Sequence, residues 1–319
     1  MSLLFIHKYQ PKYFKDFETN SELFEVIQNL MVTDTLNIML LGNMGCGKTT
    51  IINAIIREYY GKDSLPSEYN DNILVINNLK EQGINYYRNE VKTFCQTGSS
   101  IKMKKKLVVL DDIDFINEQS QQVFRNYIDK YSKNVNFIST CSNKQKVIES
   151  IQSRLLILRV NNLDSSNIKN IMHGIISKEE IHIDEDAQEF IINVSTNNVK
   201  TVINYMEKIK LMCKTIDIDT AMNICTNISY IHLEEFTDYI KKKDYNHSIK
   251  LLYNLYDKGY SVIDILDNYF LFVKSTNGLN EDEKYSIIPI ICKYITIFHN
   301  IHEDEIELAL FVNNLIQVF

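Results

Sequence analysis

The chain has 319 residues, a formal net charge of −7 and a hydrophobic fraction of 45%. This length supplies enough apolar material for two or three folded domains, and a charged fraction of 24% excludes global disorder. The negative net charge argues against a free-standing DNA-binding protein, because such proteins are usually basic, although it leaves room for a local basic patch. The six cysteines include no C-x-x-C spacing, so no zinc site is predicted.

Short β-type runs alternate with helical periods through the first half of the chain. A strand is predicted at 37–41 and a helix at 50–60, and four further apolar runs rich in β-branched residues are predicted strands, namely 73–77, 107–110, 135–140 and 155–160. Such alternation predicts an α/β domain whose parallel sheet is covered by helices on both faces.

The first predicted strand runs directly into GNMGCGKTT, which fits the phosphate-binding pattern G-x-x-x-x-G-K-[ST]. Glycines in such a loop let backbone N–H groups approach a phosphate without Cβ clashes. We expect Lys48 to reach the β- and γ-phosphates and the Thr49 hydroxyl to bind Mg²⁺. The pattern leaves ATP and GTP both open, and the predicted nucleotide-binding set is Gly42, Asn43, Met44, Gly45, Cys46, Gly47, Lys48, Thr49 and Thr50.

Two acidic residues end the apolar run LVVLDDID. Asp111 stands where a carboxylate would orient Mg²⁺ and its waters. Asp112 follows at the position where many such ATPases have a glutamate that activates the attacking water. A glycine loop followed by this acidic strand end predicts an enzyme that binds and hydrolyses a nucleotide.

Long amphipathic periods dominate the second half, where only three glycines follow residue 160, and they predict an all-helical region. A polar break at 214–218 divides this region, so we predict a nucleotide-binding domain at 1–160, a small helical lid at 161–215 and a helical domain at 216–319. The apolar stretch 287–298 is interrupted by Pro289 and Lys293, so no membrane span is expected.

Five segments, colinear along the chain, resemble segments of a known family: KYQPKYFKDF, LVINNLKEQGINYYRNEVKTF, QQVFRNYIDKYSKNVNFISTCSN, KVIESIQSRLLILRV and TNNVKTVINYM. The family is the small subunits of replication factor C, the clamp loader of eukaryotes and archaea within the AAA+ ATPases. The resemblance covers residues 5 to about 206, and the C-terminal third agrees in length and helical character. It implies an α/β P-loop AAA+ domain, then a small helical lid and an all-helical C-terminal oligomerisation domain, the collar.

The resemblance also implies roles for residues around the nucleotide. Tyr9 and Pro11 would lie near the adenine. Ser142 falls at the sensor position, where the family usually has asparagine, and Lys200 falls on a second sensor, where it has arginine. Arg154 would act in trans, on the ATP of the adjacent subunit, as an arginine finger does.

The implied function is to open a ring-shaped sliding clamp with ATP and to load it on primer–template DNA during DNA replication. The implied partners are other loader subunits, forming a hetero-oligomer that we expect to be a pentamer, together with the clamp and the DNA. Arg88 and Lys92 are the candidates for contact with the DNA backbone, a contact that carries no sequence information. The expected location is intracellular, in the nucleus of a eukaryote or at the replication site of a virus.

The chain departs from the family pattern at several positions. Asp112 replaces glutamate, which shortens the side chain by one C–C bond, or ~1.5 Å. Lys200 keeps the charge of the family arginine but loses its planar fork, and Gln10, Gln82 and Leu155 also differ from the family residues. We therefore predict weak ATP hydrolysis unless neighbouring subunits compensate.

Other functions stay open on the sequence alone. A different AAA+ machine, such as a Holliday-junction motor or an initiator-type loader, would carry the same nucleotide motifs. A structural subunit that binds nucleotide without hydrolysing it is compatible with the changes at Asp112 and Lys200. A simple P-loop kinase is disfavoured, because the sequence offers no acceptor-substrate site.

Overall fold

The computed structural model describes residues 4–18, 21–61, 69–76, 86–101, 103–195, 197–212, 215–225, 228–276, 278–300 and 304–318. The chain divides into two compact units. Unit 1 comprises Met1–Ile175 and Asn197–Asn204, and unit 2 comprises Ile176–Thr196 and Tyr205–Phe319. The predicted domain boundaries at 160 and 215 remain a prediction.

Unit 1 is built on a five-stranded sheet in which every pair of neighbouring strands is parallel. Its strands are β1 (Ile38–Leu41), β2 (Ile73–Ile76), β3 (Lys106–Leu110), β4 (Val135–Cys141) and β5 (Leu156–Arg159). The sheet order is β2-β3-β4-β1-β5, so the chain crosses over between strands that are not consecutive. The predicted strands therefore agree with the observed ones to within one or two residues at each end.

Alternating side chains along the strands separate the core of unit 1 into two layers. Ile38 and Leu40 join one apolar cluster, whereas Met39 between them joins the other. In the same way, Leu107 and Val108 belong to opposite clusters. A sheet that is buried on both faces has continuous apolar strands, which is why β3 and β4 are buried at every position.

Up to β5, the described residues form two helices before β1 and four helices between successive strands. They are α1 (Phe5–Lys8), α2 (Ser21–Val32), α3 (Lys48–Tyr60), α4 (Lys92–Gln96), which continues a π-helical turn at Tyr87–Val91, α5 (Glu118–Tyr131) and α6 (Glu149–Gln152). Short 3-10 turns lie at Phe14–Asp16, Asn70–Asn72, Ile113–Phe115 and Lys144–Lys146. Gln82, one of the departures from the family pattern, lies outside the described residues.

The described part of the chain from residue 165 onward is helical apart from its connections and one isolated bridge between Ile183 and Ile216. Its helices are α7 (Ser165–Glu179), α8 (Glu185–Val194), α9 (Val199–Met212), α10 (Ile218–Ile224), α11 (Tyr230–Lys241), α12 (Tyr245–Asp257), α13 (Val262–Ser275), α14 (Glu281–Asn300) and α15 (Ile306–Ile316). The prediction of a parallel α/β domain followed by an all-helical region is confirmed.

Unit 2 has its own apolar core. Edge-to-face aromatic contacts lie at its centre, with ring centroids 5.1 Å apart for Phe236 and Tyr269 and 5.4 Å apart for Tyr294 and Phe311. Such contacts add to the stabilisation that comes from area burial alone. None of the helices among the described residues is long and apolar enough to cross a membrane.

Candidate nucleotide-binding and hydrolysis site

Three adjacent strands of the sheet end at the same edge, and each is followed by a predicted site residue. The phosphate loop follows β1, Ser142 follows β4, and Asp111 follows β3. Because β4 lies between β1 and β3 in the sheet, these residues come together although 94 positions separate Lys48 from Ser142. Ligands of open parallel sheets bind at such carboxyl ends of strands.

The phosphate loop has two glycines in the left-handed region of backbone space. The φ angle is +79° at Gly45 and +95° at Gly47, conformations that residues with a Cβ rarely adopt. Helix α3 begins at Lys48, directly after Gly47, so the loop leads into a helix N-terminus. Free N–H groups at such a terminus favour a bound phosphate.

Lys48 is 93% buried, and its ammonium group is hydrogen-bonded within the loop. Its Nζ donates to the carbonyl oxygens of Gly42 at 2.7 Å and Asn43 at 3.0 Å, and to the hydroxyl of Ser142 at 3.1 Å. These contacts place one cation between the phosphate loop and the end of β4. A phosphate that enters the loop would replace carbonyl oxygens as the partner of this ammonium group.

The hydroxyl of Thr49 lies beside the carboxylate of Asp111. Its Oγ1 donates to Oδ1 at 3.3 Å and is 3.5 Å from Oδ2. Two neighbouring oxygen ligands of an octahedral Mg²⁺ at 2.0–2.1 Å are roughly 3.0 Å apart. The spacing of these two side chains therefore fits a shared Mg²⁺ with only a small adjustment.

Asp112 has a backbone conformation with φ of 52° and ψ of 58°. This left-handed conformation is uncommon outside glycine, but aspartate tolerates it better than most residues do. Burial raises the pKa of the Asp112 carboxyl, and the neighbouring charge of Asp111 raises it further. A raised pKa makes the ionised carboxylate a stronger base toward a water molecule.

Thr140 was not singled out from the sequence, yet it connects both carboxylates. Its buried hydroxyl donates to Asp111 Oδ1 at 2.8 Å and accepts the backbone N–H of Asp112 at 2.6 Å. The side chain therefore fixes the orientation of Asp111 and holds the unusual backbone at Asp112. Its position inside the apolar strand β4 was the signal available in the sequence, since a buried hydroxyl needs a partner.

Asn198 is a second residue that sequence reasoning missed. It precedes helix α9, its Nδ2 donates to the carbonyl oxygen of Met44 at 3.4 Å, and its side chain occupies the space that a Cβ on Gly45 would need. Lys200 lies two residues further on, exposed in the first turn of α9. Within the described part of the chain, no contact joins Lys200 to the phosphate loop.

The N-terminal segment reaches the same region through Gln10. The Nε2 of Gln10 lies 3.4 Å from the Thr50 hydroxyl, at the start of α3. The flanking residues Tyr9 and Pro11 are half-buried, and the Tyr9 ring contacts Phe5 edge to face at 5.5 Å between centroids. Through Gln10, the segment that contains Tyr9 and Pro11 contacts the helix that carries Lys48 and Thr49.

Arg154 lies apart from this group, after the short helix α6. Its Nε donates to Asp129 Oδ1 at 2.6 Å and its Nη1 donates to the Ser150 carbonyl oxygen at 2.7 Å. This ion pair lowers the pKa of the Asp129 carboxyl. The arginine is thus held at the surface of unit 1 by contacts within its own chain.

Arg88 and Lys92 lie on one continuous helical segment, the π-helical turn and the first residue of α4. Both side chains are exposed. The four-residue spacing places them on one face of the segment, where neighbouring cations can follow a phosphate backbone.

The fold and this site define an AAA+ ATPase. Residues 38–163 match the family model of the AAA ATPases associated with various cellular activities. Solved structures of similar fold include the Holliday junction branch migration motor RuvB of Thermotoga maritima. It has a TM-score of 0.54 and 14% identity over 74% of this chain and 80% of that one. At this identity the likeness concerns the fold alone.

Within the AAA+ ATPases, the chain is similar to members of the replication factor C family. Residues 228–295 match the replication factor C C-terminal domain. Replication factor C subunit 4 of Saccharomyces cerevisiae is 26% identical over 91% of this chain and 88% of its own length. The replication factor C small subunit of Methanococcus maripaludis is 25% identical over 90% of both chains. The resemblance given by the five segments is thereby confirmed and extends through the C-terminal third.

Proposed function

We propose that this chain is an ATPase subunit of a clamp loader, which uses ATP to open a sliding clamp and place it on primer–template DNA. The observation that carries the proposal is the meeting of Lys48, Thr49 and Asp111 at the sheet edge, in a chain that also has a replication factor C C-terminal domain. The partners are the sibling subunits of a hetero-oligomer, expected as a pentamer, the clamp and the DNA. In a eukaryote the complex would act in the nucleus.

The residues of the site divide the work of hydrolysis. The loop from Gly42 to Thr50 would hold the phosphates, with Lys48 neutralising their charge and the N-terminal Tyr9 and Pro11 beside the adenine. A Mg²⁺ held by Thr49 and Asp111 would polarise the phosphate oxygens.

Asp112 would then accept a proton from the attacking water, while Ser142 donates a hydrogen bond to the γ-phosphate or to that water. Lys200 would add positive charge from the start of α9. Arg154 would supply transition-state charge to the site of the adjacent subunit, which is why every active site would need two chains.

Arg88 and Lys92, which lie exposed on one helical segment, would contact the phosphate backbone of the DNA. Such contacts release counterions, so each phosphate contact that is lost should reduce the slope of log affinity against log salt by about 0.9. Changing either residue should weaken binding to all DNA sequences alike.

The test is the ATP turnover of the chain assembled with its sibling subunits, with and without clamp and primed DNA. We expect stimulation by clamp and DNA together, lost in Lys48→Ala and in Arg154→Ala. Arg125→Ala is a matched control, because Arg125 also lies near Asp129, at 3.9 Å, but is not expected to reach a neighbouring site. Stimulation by branched DNA without a clamp would contradict the proposal and favour another AAA+ machine.

A second function is a structural subunit that binds nucleotide with little hydrolysis. The short Asp112 side chain, on a left-handed backbone, is the observation that favours it. Tight ATP binding without stimulated turnover, in a complex that still loads clamps, would support this second function.

A further inference from the structure

Asp114 is a buried acidic residue that the proposed chemistry does not use. It lies in the 3-10 turn Ile113–Phe115, three residues after Asp111, and only 8% of its surface is exposed. Its Oδ2 accepts the backbone N–H groups of Ser142 at 3.2 Å and Asn143 at 3.0 Å. One carboxylate oxygen therefore anchors the main chain of the segment that follows β4.

The segment anchored by Asp114 carries the sensor hydroxyl. The backbone N–H of Ser142 faces Asp114, while its Oγ accepts a hydrogen bond from Lys48 Nζ at 3.1 Å. A continuous chain of hydrogen bonds thus runs from the turn after β3, through the end of β4, to the lysine of the phosphate loop. A shift in the main chain at Ser142 would move its hydroxyl relative to Lys48.

The burial of the Asp114 carboxylate does not by itself stabilise the folded chain. Its other oxygen, Oδ1, is buried without a hydrogen-bond partner among the residues that the structure describes. A buried carboxylate with an unpaired oxygen carries a desolvation penalty, and an unpaired buried group calls for a reason other than stability.

The two segments are also held together without Asp114. Gln121, fully buried on α5, donates from Nε2 to the carbonyl oxygens of Ile116 at 2.8 Å and Lys146 at 3.0 Å. Its Oε1 accepts the N–H of Ile148 at 2.9 Å. Attachment of the turn to the 142–148 segment thus has a second support, and Asp114 adds a contact at the end nearest the phosphate loop.

We propose that Asp114 is a positioning residue for ATP hydrolysis: by fixing the main chain at Ser142, it sets where the Ser142 hydroxyl stands beside Lys48 and the γ-phosphate. The inference rests on the nucleotide site of the proposed function and deepens it. Asp114 exchanges no proton and touches no substrate in this role. Its contribution is geometric, and a misplacement of about 1 Å in an active site can lower a rate by about 100-fold.

The first experiment compares Asp114→Ala and Asp114→Asn by their basal ATP turnover, without clamp or DNA, in the assembled complex. Asp114→Ala removes both N–H acceptors, so we expect kcat to fall between tenfold and 100-fold while KM for ATP changes less than about threefold. Asp114→Asn keeps a carbonyl oxygen that can accept both N–H groups, and it should restore most of kcat. Asp164→Ala, at an exposed site, is the matched control and should behave as the wild type.

A double-mutant cycle with Ser142→Ala separates positioning from a general structural effect. If Asp114 acts through the Ser142 hydroxyl, Asp114→Ala should cost much less in kcat when Ser142 is already alanine. Two results would overturn the proposal: equal and additive losses in the cycle, or a fall in the affinity for a fluorescent ATP analogue that parallels the fall in kcat.

Two features keep the experiment decisive. Thermal unfolding will show whether Asp114→Ala folds. If it does not, Asp114→Asn and its cycle with Ser142→Ala still test the proposal, because a positioning role predicts that Asp114→Asn keeps most of kcat. Since basal turnover needs no clamp, failure of clamp stimulation would count against the proposed clamp loading and leave the Asp114 result intact.

Discussion

Asp112 occupies a left-handed backbone conformation, with its N–H held by the Thr140 hydroxyl at 2.6 Å. Aspartate accepts this conformation more readily than glutamate, because its short polar side chain can bond locally. The replacement of the family glutamate and the unusual backbone are thus two aspects of one local structure. At the residue scale, the shorter carboxylate of Asp112 is thus compatible with the left-handed backbone at this position.

Asp112→Glu should raise ATP turnover several-fold, because the carboxylate then reaches ~1.5 Å further toward the attacking water. It should also lower the free energy of unfolding by about 1 kcal/mol, through strain at the left-handed position. Steady-state turnover of the assembled complex and urea unfolding of the chain would measure the two effects. Asp112→Asn, which cannot accept the proton, is the control and should lower turnover by about 100-fold. Unchanged turnover in Asp112→Glu would contradict the prediction of weak hydrolysis.

Thr140→Val should impair both stability and turnover, although the two side chains have nearly the same shape. The loss of the hydroxyl leaves the N–H of Asp112 without its partner, at a cost of about 1–3 kcal/mol. It also frees Asp111 to rotate, so turnover should fall at least tenfold. Thr140→Ser keeps the hydroxyl and should stay within about threefold of the wild type in the same turnover assay. Equal losses in Val and Ser would show that packing, rather than the hydroxyl, matters at this position.

At the element scale, the site depends on which strand ends are neighbours. The phosphate loop follows β1, which lies between β4 and β5 in the sheet and does not pair with β2. The residues that follow β4 and β3 therefore lie beside the loop. Helix α3 begins directly after the loop, and the side chain of Asn198, the residue before α9, occupies the space beside Gly45. The loop therefore has little space for additional atoms on that side.

Gly45→Ala should weaken nucleotide binding by at least tenfold. An alanine at φ of +79° is strained by about 1–2 kcal/mol, and its Cβ would stand 2.2 Å from the Asn198 side-chain oxygen unless that side chain moved. Titration with a fluorescent ATP analogue would measure the affinity, and thermal unfolding the stability. Gly174→Ala, inside α7 where a Cβ meets nothing within 4 Å, is the control. It should raise stability by about 0.5–1 kcal/mol and leave binding unchanged.

At the scale of the whole molecule, the nucleotide site and the C-terminal helical core belong to different compact units. The predicted nucleotide-binding residues all lie in unit 1, whereas the aromatic contacts around Tyr269 and Phe311 lie in unit 2. A change in the core of unit 2 should therefore affect stability and subunit assembly before it affects affinity for ATP.

Phe311→Ala should destabilise the chain by about 3–5 kcal/mol, as truncation of a buried aromatic residue does. Phe311 is 1% exposed, whereas the adjacent Leu310 is 48% exposed, so Leu310→Ala is the matched control and should stay within about 0.5 kcal/mol of the wild type. Urea unfolding of the isolated chain would measure both. At a temperature where Phe311→Ala remains folded, its affinity for ATP should equal that of the wild type. A parallel loss of affinity would show that the two units are coupled.

The sequence by itself determined the fold class and the boundaries of the strands to within one or two residues. It also predicted Lys48, Thr49 and Asp111 as site residues, and the structure brings these to one edge of the sheet. It could do so because these features depend on local patterns: apolar runs, glycine spacing and an acidic strand end. The roles of Arg154 and Lys200 came from resemblance to the replication factor C family and remain predictions.

Only the tertiary structure decided which strand ends are neighbours, and so which distant residues meet. The order β2-β3-β4-β1-β5 places Ser142 beside Lys48 and Thr140 beside Asp111, although neither pair is close in sequence. The tertiary structure also revealed the hydrogen bonds of Asp114 to the segment after β4, the Asp129 partner of Arg154 and the left-handed backbone at Asp112. The physical reason is that hydrogen bonds between segments depend on packing geometry, which strand-by-strand patterns of polarity do not encode.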